Sequence, residues 1–435
     1  MDTQTYRIGR YVAQGAPVVD SARLARTGLV VLTCINLFNY VDRYVVAALG
    51  ESLRHSPLHV SDTQFGLLTS GFIVVYMLAA PVFGTLGDRG SRTRLIAAGI
   101  FIWSVATALG GLAWSFVSLL GARALVGIGE AAYGTISPSL LADYFPRRYR
   151  GRVFSIFFAA IPVGTALGYV VGGLLDVHVG WRSAFFFVGA PGLVLAALSL
   201  RLYDPPRGIQ DPTDALGSSH RLRGGAARAA YATLARNRPY VLTVLGYAAY
   251  TFALGGMAVF LPKFLMRIRG LTESMTTVGS GLVLVATGLV GTTVGGWVAD
   301  RLLARTRQAY LWVSGVATLV AAPVGLVALL APSPVVYWTA LVLAELLLFS
   351  STGPINSAIV NLVAPDMRAS AVAVSILMIH VLGDVPSPTI LGAISDASTL
   401  ARAVLIIPAA ILLGGVIWTY GAWRGERTAG VEPSP

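Results

Sequence analysis

The stretch that decides the fold is G84-T-L-G-D-R-G-S-R-T-R94, because its Asp88-Arg89 pair is answered 212 residues later by Asp300-Arg301 in G295-G-W-V-A-D-R-L-L-A-R-T-R307. Each stretch closes a long apolar run with glycine, then an Asp-Arg pair, then a basic turn. A second echo follows each. Pro138, Pro146 and Arg150 recur as Pro354, Pro365 and Arg368. Three features in the same order point to an internal duplication. Among membrane proteins, duplicated halves mark transporters whose binding site lies near the midplane.

The chain around these stretches is built for lipid. It has 435 residues, of which 55% are hydrophobic and only 12% charged. A soluble domain carries about twice that share of charge. Reading apolar runs against polar punctuation predicts twelve spans, near 27–49, 64–86, 95–114, 117–143, 151–176, 182–203, 239–266, 277–303, 309–330, 334–363, 369–395 and 400–423. Each is long enough for the roughly 20 residues that a helix needs to cross. Barrel strands would alternate over about ten residues, so the runs are helices. The span at 334–363 is expected to tilt or break at Pro354.

The expected organisation is a tail over 1–26, a six-helix bundle over 27–203, a linker over 204–238, a second bundle over 239–424 and a tail over 425–435. The linker is rich in Pro, Gly and charge, with room for a short surface helix at "AARAAYATLA". The 31 Arg and single Lys favour one side. With both termini cytoplasmic, 24 fall inside, 6 outside and two, Arg43 and Arg123, within spans. That is the positive-inside pattern, and it explains the net charge of +12 without nucleic acid. The first residues lack the short apolar core of a removable signal peptide. One cysteine, Cys34, allows no disulfide framework. No phosphate-cradling loop and no Cys/His cluster is present, so neither ATP nor a metal or other cofactor is expected.

Charges inside spans are costly and tend to be functional. Arg123, Gly127 and Glu130 share one face of span 4. In span 1, Asn36, Asn39 and Arg43 share a face, while Asp42 projects about 100° away from Arg43. Neighbours so placed cannot pair with each other. Glu130 is the expected partner of Arg43. Asp42, left without an equally good base, is read as a carboxyl that can take and release a proton. In span 11, His380 and Asp384 lie one turn apart among Gly383, Pro386, Pro388 and Gly392, a pattern that bends helices at substrate sites. Glu345 in span 10 is a further mid-membrane acid. Glycines at four-residue spacing, Gly164, Gly168 and Gly172 in span 5 with Gly288, Gly291 and Gly295 in span 8, are read as packing contacts.

The loop 84–94 resembles the signature of the major facilitator superfamily, G-x-L-x-D-R-x-G-R-[RK], with Ser91 and Thr93 departing from it. The resemblance implies two six-helix bundles of the major facilitator fold and a cytoplasmic latch. Asp88 would meet the N-terminus of helix 11, and Arg92 an acid ending helix 4, for which Asp143 is the candidate. Arg89 and Asp300 complete the gating set. "N39-Y-V-D42-R43", "R123…G127-I-G129-E130" and "H380-x-x-G383-D384-x-x-S387-P388" together resemble the Spinster transporters, and the resemblance spans about 27–423. It implies a bacterial inner-membrane carrier, monomeric and proton-linked, moving an amphipathic lipid anion such as a lysophospholipid or a sphingosine-phosphate-like lipid. Asp42 and Glu130 become the proton-linked acids. Arg43, Arg123, Asn39, Tyr133, His380 and Asp384 become the substrate contacts. The alternatives are an exporter of drugs or small organic anions and, more distantly, a lipid-modifying membrane enzyme. The enzyme reading lacks a Gly-x-Ser-x-Gly elbow beside His380.

Overall fold

The computed structural model describes residues 21–211 and 227–429. Most of both expected tails and the middle of the linker lie outside the described residues. Within them the chain is all helical, with twelve helices long and apolar enough to cross a membrane. They are α1 (Ala22–Ala48), α2 (Gln64–Arg89), α3 (Arg92–Gly111), α4 (Phe116–Tyr144), α5 (Arg147–Val179) and α6 (Trp181–Ser199). After the linker come α7 (Arg238–Arg267), α8 (Gly279–Leu302), α9 (Ala309–Leu330), α10 (Pro334–Asn361), α11 (Pro365–Ala397) and α12 (Leu400–Arg427). The short helix in the linker covers Ala227–Arg236.

Local signals start and stop these helices. Ser61 accepts from the Gln64 amide while the Gln64 side chain accepts from the Ser61 amide, a reciprocal cap ahead of α2. Asn237 accepts from the Tyr240 amide at the start of α7, with Pro239 in the first turn where its missing N–H costs nothing.

Two compact units emerge. The first holds residues up to Tyr149, Val163–Ala230 and Val363–Ala373. In it α4 is the central post, and its small residues set how near its neighbours stand. A Cβ on Gly127 would lie 2.8 Å from the Phe72 carbonyl of α2, and one on Gly129 would lie 2.5 Å from the Gly99 carbonyl of α3. The glycines of α5 lie flat on α1. Cβ atoms on Gly164 and Gly168 would meet the carbonyls of Leu37 and Val41 at 2.7 and 2.8 Å. In a membrane, where apolar side chains gain little by leaving lipid, such close backbone packing is what holds helices together.

The second unit holds Arg150–Pro162, Tyr231–Leu362 and the chain from Val374 onward. Its core gathers Tyr250, Phe260, Phe264 and Trp418, with the Trp418 indole donating to the Thr243 carbonyl at 2.9 Å. Here α8 lies against α10. A Cβ on Gly295 would overlap the Ser350 carbonyl. The span α10 is two helices, Pro334–Phe349 and Thr352–Asn361, parted at Ser350–Ser351. The break falls one turn ahead of Pro354, which has no N–H to give the Ser350 carbonyl. In α11, regular helix runs over Arg368–Ile379 and widens into a π turn over His380–Asp384. Gly383 there leaves helical geometry at φ −109° and ψ −106°. Regular helix resumes at Pro386. Thr251 of α7 packs into this turn, donating to the Ile379 carbonyl at 3.1 Å.

Candidate functional site

In the first unit, α1 and α4 bring two acids and two bases together away from water. Arg43 Nε donates to Glu130 Oε2 at 2.6 Å. Glu130 is buried, whereas the Arg43 side chain keeps 20% of its surface open. Asp42 is fully buried. Its Oδ2 accepts from Thr107 Oγ1 of α3 at 3.0 Å and faces Arg123 Nη1 at 3.6 Å. Arg123 is thus the base that faces Asp42, at a longer distance than Arg43 keeps from Glu130, and the sequence reading named no such partner. Two turns of α4 separate Arg123 from Glu130, so each base reaches a different member of the α1–α4 face.

Aromatic rings complete the site. The Arg43 guanidinium lies 5.0 Å from the Tyr40 ring centre, 5.1 Å from Phe72 and 4.9 Å from Tyr76. Arg123 lies 5.1 Å from the same Phe72. Each such contact is worth about 0.5–2 kcal/mol, more as water is excluded. Gly127, which lets α2 come close, is what brings Phe72 and Tyr76 within range. Asn39 is buried beside the pairs. Tyr133 donates to the Leu32 carbonyl at 2.6 Å and meets Trp103 edge-on, an arrangement that fixes α4 against α1. Asp42 Oδ1 and Glu130 Oε1 accept no hydrogen bond from the described residues. Buried carboxylate oxygens left open in this way are costly, and proton or ligand binding would relieve them.

A second polar cluster in the first unit sits at the loop ends of the helices. Asp88 accepts from the amides of Ala369 and Ser370, both at 2.9 Å, at the first turn of the regular helix in α11. A carboxylate there meets the positive end of the helix dipole. Arg92 pairs with Asp143, and its Nε and backbone amide both reach Asp204 at 2.8 Å. Arg368 pairs with Asp143 at 2.7 Å and Asp211 at 2.6 Å, and the Gly208 amide also donates to Asp143. Asp143 thus joins two buried arginines. Arg207 donates to the Gly87 and Gly90 carbonyls. Burial, then the neighbouring Arg92 charge, pulls its guanidinium below the usual arginine value. Arg89 is exposed.

The second unit repeats the helix cap. Asp300 accepts from the amides of Gly151 and Arg152 at 2.8 and 2.9 Å, at the first turn of the regular helix in α5. In both units the carboxylate takes the second and third amides of a helix that begins with arginine, Arg368 or Arg150.

Residues 32–388 match the model of the Major Facilitator Superfamily. Protein spinster of Drosophila melanogaster is 33% identical over 84% of the chain, and the match spans 61% of that relative's own length. Sphingosine-1-phosphate transporter SPNS2 of Mus musculus is 32% identical over 89% of the chain and 75% of its own. The chain is a Spinster-family member of the Major Facilitator Superfamily. The crystal structure of a bacterial homologue of the human lysosomal transporter Spinster, inward-facing and unoccupied, superposes with a TM-score of 0.59 at 25% identity, over 92% of this chain and 96% of that one.

This Spinster-family chain is a multi-pass membrane transporter and not an enzyme. Its sequence-predicted residues fall into separate groups. Asp42, Arg43, Glu130, Arg123, Asn39 and Tyr133 gather in the first unit, as do Asp88, Arg92 and Asp143. Asp300 caps α5 in the second unit. His380 and Asp384 also belong there, with His380 Nδ1 lying 2.8 and 3.0 Å from the two Asp384 carboxylate oxygens. Glu345 is buried on α10 and accepts from Thr287 Oγ1 at 2.8 Å. Sequence reading missed Thr107, Phe72, Tyr40 and Tyr76 around the two arginines. It also missed Asp204, Asp211 and Arg368 around Arg92 and Asp143. Arg368 alone had a signal, as the counterpart of Arg150.

Proposed function

We propose that this transporter carries an amphipathic lipid anion, lysophospholipid or sphingosine-phosphate-like, by proton-linked alternating access, working as a monomer in a bacterial inner membrane. One observation carries the reading: Arg43, part open and ringed by Tyr40, Phe72 and Tyr76, is held by a buried carboxylate that has an oxygen to spare. Protonation of Glu130 would release Arg43 to a phosphate or carboxylate headgroup. Asp42 and Arg123 form the second proton-responsive pair behind it, joined to the first through Phe72. Asn39 and Tyr133 would add polar contacts in the first unit, where the rings would take the first part of the tail, and His380 and Asp384 would be the substrate contacts of the second unit. The name of the mouse relative, a sphingosine-1-phosphate transporter, supports the substrate class. The helix caps at Asp88 and Asp300, with Arg89, Arg92 and Asp143, would be the contacts that loosen and re-form as access alternates.

The test is uptake of fluorescent lysophospholipid into proteoliposomes under an imposed pH gradient, for wild type, Asp42→Asn and Glu130→Gln. Wild-type uptake should follow the gradient, and at least one variant should lose that dependence. Unchanged pH dependence in both variants defeats the proton coupling. Competition by an unrelated anionic dye, but not by excess lysolipid, defeats the lipid substrate.

A further inference from the structure

Helices α8 and α9 of the second unit stand apart on their outer side, and α10 floors the space between them. The result is a groove of about 960 Å³. Its walls are Val290, Val294 and Val298 on one side and Val316 and Val320 on the other, with Leu347 in the floor. The wall valines are about half exposed. The glycines keep the groove deep, since Gly291 and Gly295 bring α8 onto the backbone of α10. That volume lies at the upper end of the range for small-molecule sites. From Leu302 to Val290, and from Trp312 to Val324, the groove follows twelve residues of helix, about 18 Å at 1.5 Å per residue. One leaflet of a bilayer has a hydrocarbon depth of about 15 Å.

Among the described residues, charge gathers at one end of the groove. Its lining there includes Leu302, Thr306 and Trp312. Arg301 adjoins Leu302 and stacks over Trp297 at 5.5 Å, while Arg305 and Arg307 flank Thr306 and are exposed. Among the described residues, one acid contacts the lining there. Glu426 accepts from Thr306 at 2.6 Å and from the Trp312 indole at 2.9 Å, which fixes Trp312 at the mouth. Among the described residues, Arg301, Arg305 and Arg307 outnumber that carboxylate at the mouth. An indole with one apolar and one wet end suits the headgroup level.

We infer that this groove is a binding site for an anionic glycerophospholipid of the surrounding bilayer, one acyl chain lying between α8 and α9 and the phosphate meeting Arg301, Arg305 and Arg307. Basic pockets at the ends of membrane helices recognise anionic headgroups in this way. A second copy of the chain fits less well, because a two-fold axis along the membrane normal would set these arginines against their own copies. The site is separate from the transport reading and stands whether or not the cargo is a lipid.

The experiment uses the full-length protein with phosphatidylglycerol and phosphatidylcholine of identical chains. Native mass spectrometry should show phosphatidylglycerol retained roughly fivefold or more over phosphatidylcholine. The triple variant Arg301→Ala, Arg305→Ala, Arg307→Ala should bring the two lipids level. Ala317→Phe, which fills the groove, should lower retention of both. In wild type, phosphatidylglycerol with a photoreactive tail should label peptides covering 290–302 and 312–324. Labelling spread evenly over the outer helices overturns the proposal, whatever the variants do. So does undiminished selectivity in the triple variant, or loss of retention only in Arg43→Ala, which would place the lipid in the transport site.

Discussion

Replacing Asp143 by alanine should lower the melting temperature of the purified protein by about 3 °C or more. Asp143 is fully buried between Arg92 and Arg368, themselves 0% and 2% exposed. Removing one partner from a buried ion pair costs about 3–5 kcal/mol, because the remaining charge cannot be resolvated. Here the cost falls at the lower end, about 3 kcal/mol, since Arg92 keeps Asp204 and Arg368 keeps Asp211. Unfolding entropy of about 2.1 cal/mol/K per residue gives roughly 0.9 kcal/mol/K for a chain of this length, hence about 3 °C. A membrane protein that keeps its helices when it unfolds has a smaller entropy change, so its shift is larger. Asp143→Asn keeps the shape and an acceptor but not the charge, and should fall by about half as much. Arg89→Ala, at an exposed position, should stay within about 0.5 kcal/mol of wild type. The assay is thermal unfolding followed by thiol-independent scattering or intrinsic fluorescence, with a double-mutant cycle over Asp143→Ala and Arg368→Ala. A coupling of about 0.5–3 kcal/mol is expected for residues in one network. Asp143→Ala melting with Arg89→Ala, or additive effects in the cycle, would refute the idea that Asp143 holds this cluster.

Three other outcomes follow from the geometry. Gly295→Ala should destabilise by about 1–3 kcal/mol through overpacking on the Ser350 carbonyl, while Gly281→Ala, with open space around it, should be neutral or slightly stabilising; equal melting temperatures for the two would contradict the close approach of α8 and α10. Arg43→Lys keeps the charge but loses the flat guanidinium among three rings, about 1.4 kcal/mol, so the apparent substrate affinity should drop roughly tenfold in the uptake assay. Thr287→Val should cost about 1–3 kcal/mol by removing the hydroxyl that Glu345 accepts from, and should cost little in a Glu345→Leu background; thermal melting of the three variants checks it.

The spans and the repeated Asp-Arg pairs were legible because lipid imposes a coarse rule that polar punctuation reveals, whereas the contact of Asp88 with the start of helix 11 was implied by the family resemblance. The partners Arg43 and Glu130 could be named from opposite charge on two spans. The pairing of Arg123 with Asp42 could not. Helical spacing gives the angle of a residue around its own helix, but not the rotation and depth of two helices relative to each other. Here the Tyr133 contact with the Leu32 carbonyl ties α4 to α1, while Gly127 and Gly129 set α4 against α2 and α3, and only assembly determines these. Asp204 and Asp211 were hidden for another reason. They lie in a Pro-rich stretch whose composition says linker, and nothing local shows that it folds back onto Arg92 and Arg368. Phe72 and Tyr76 read as ordinary apolar filling of α2 until the arginines beneath them are placed.

The split of α10 also bears on how the protein is made. Its pieces have 16 and 10 residues, about 24 and 15 Å long, and the hydrocarbon core is about 30 Å thick. Neither piece crosses alone, so the segment has to enter the membrane as a single unit, with Pro354 already interrupting its hydrogen bonds. The Ser350 carbonyl, left without an amide from Pro354, then lies against a surface so close that it leaves no room for a side chain. That surface, Gly295 on α8, is synthesised 55 residues earlier. The order of synthesis therefore has the receiving helix in place before the broken one arrives.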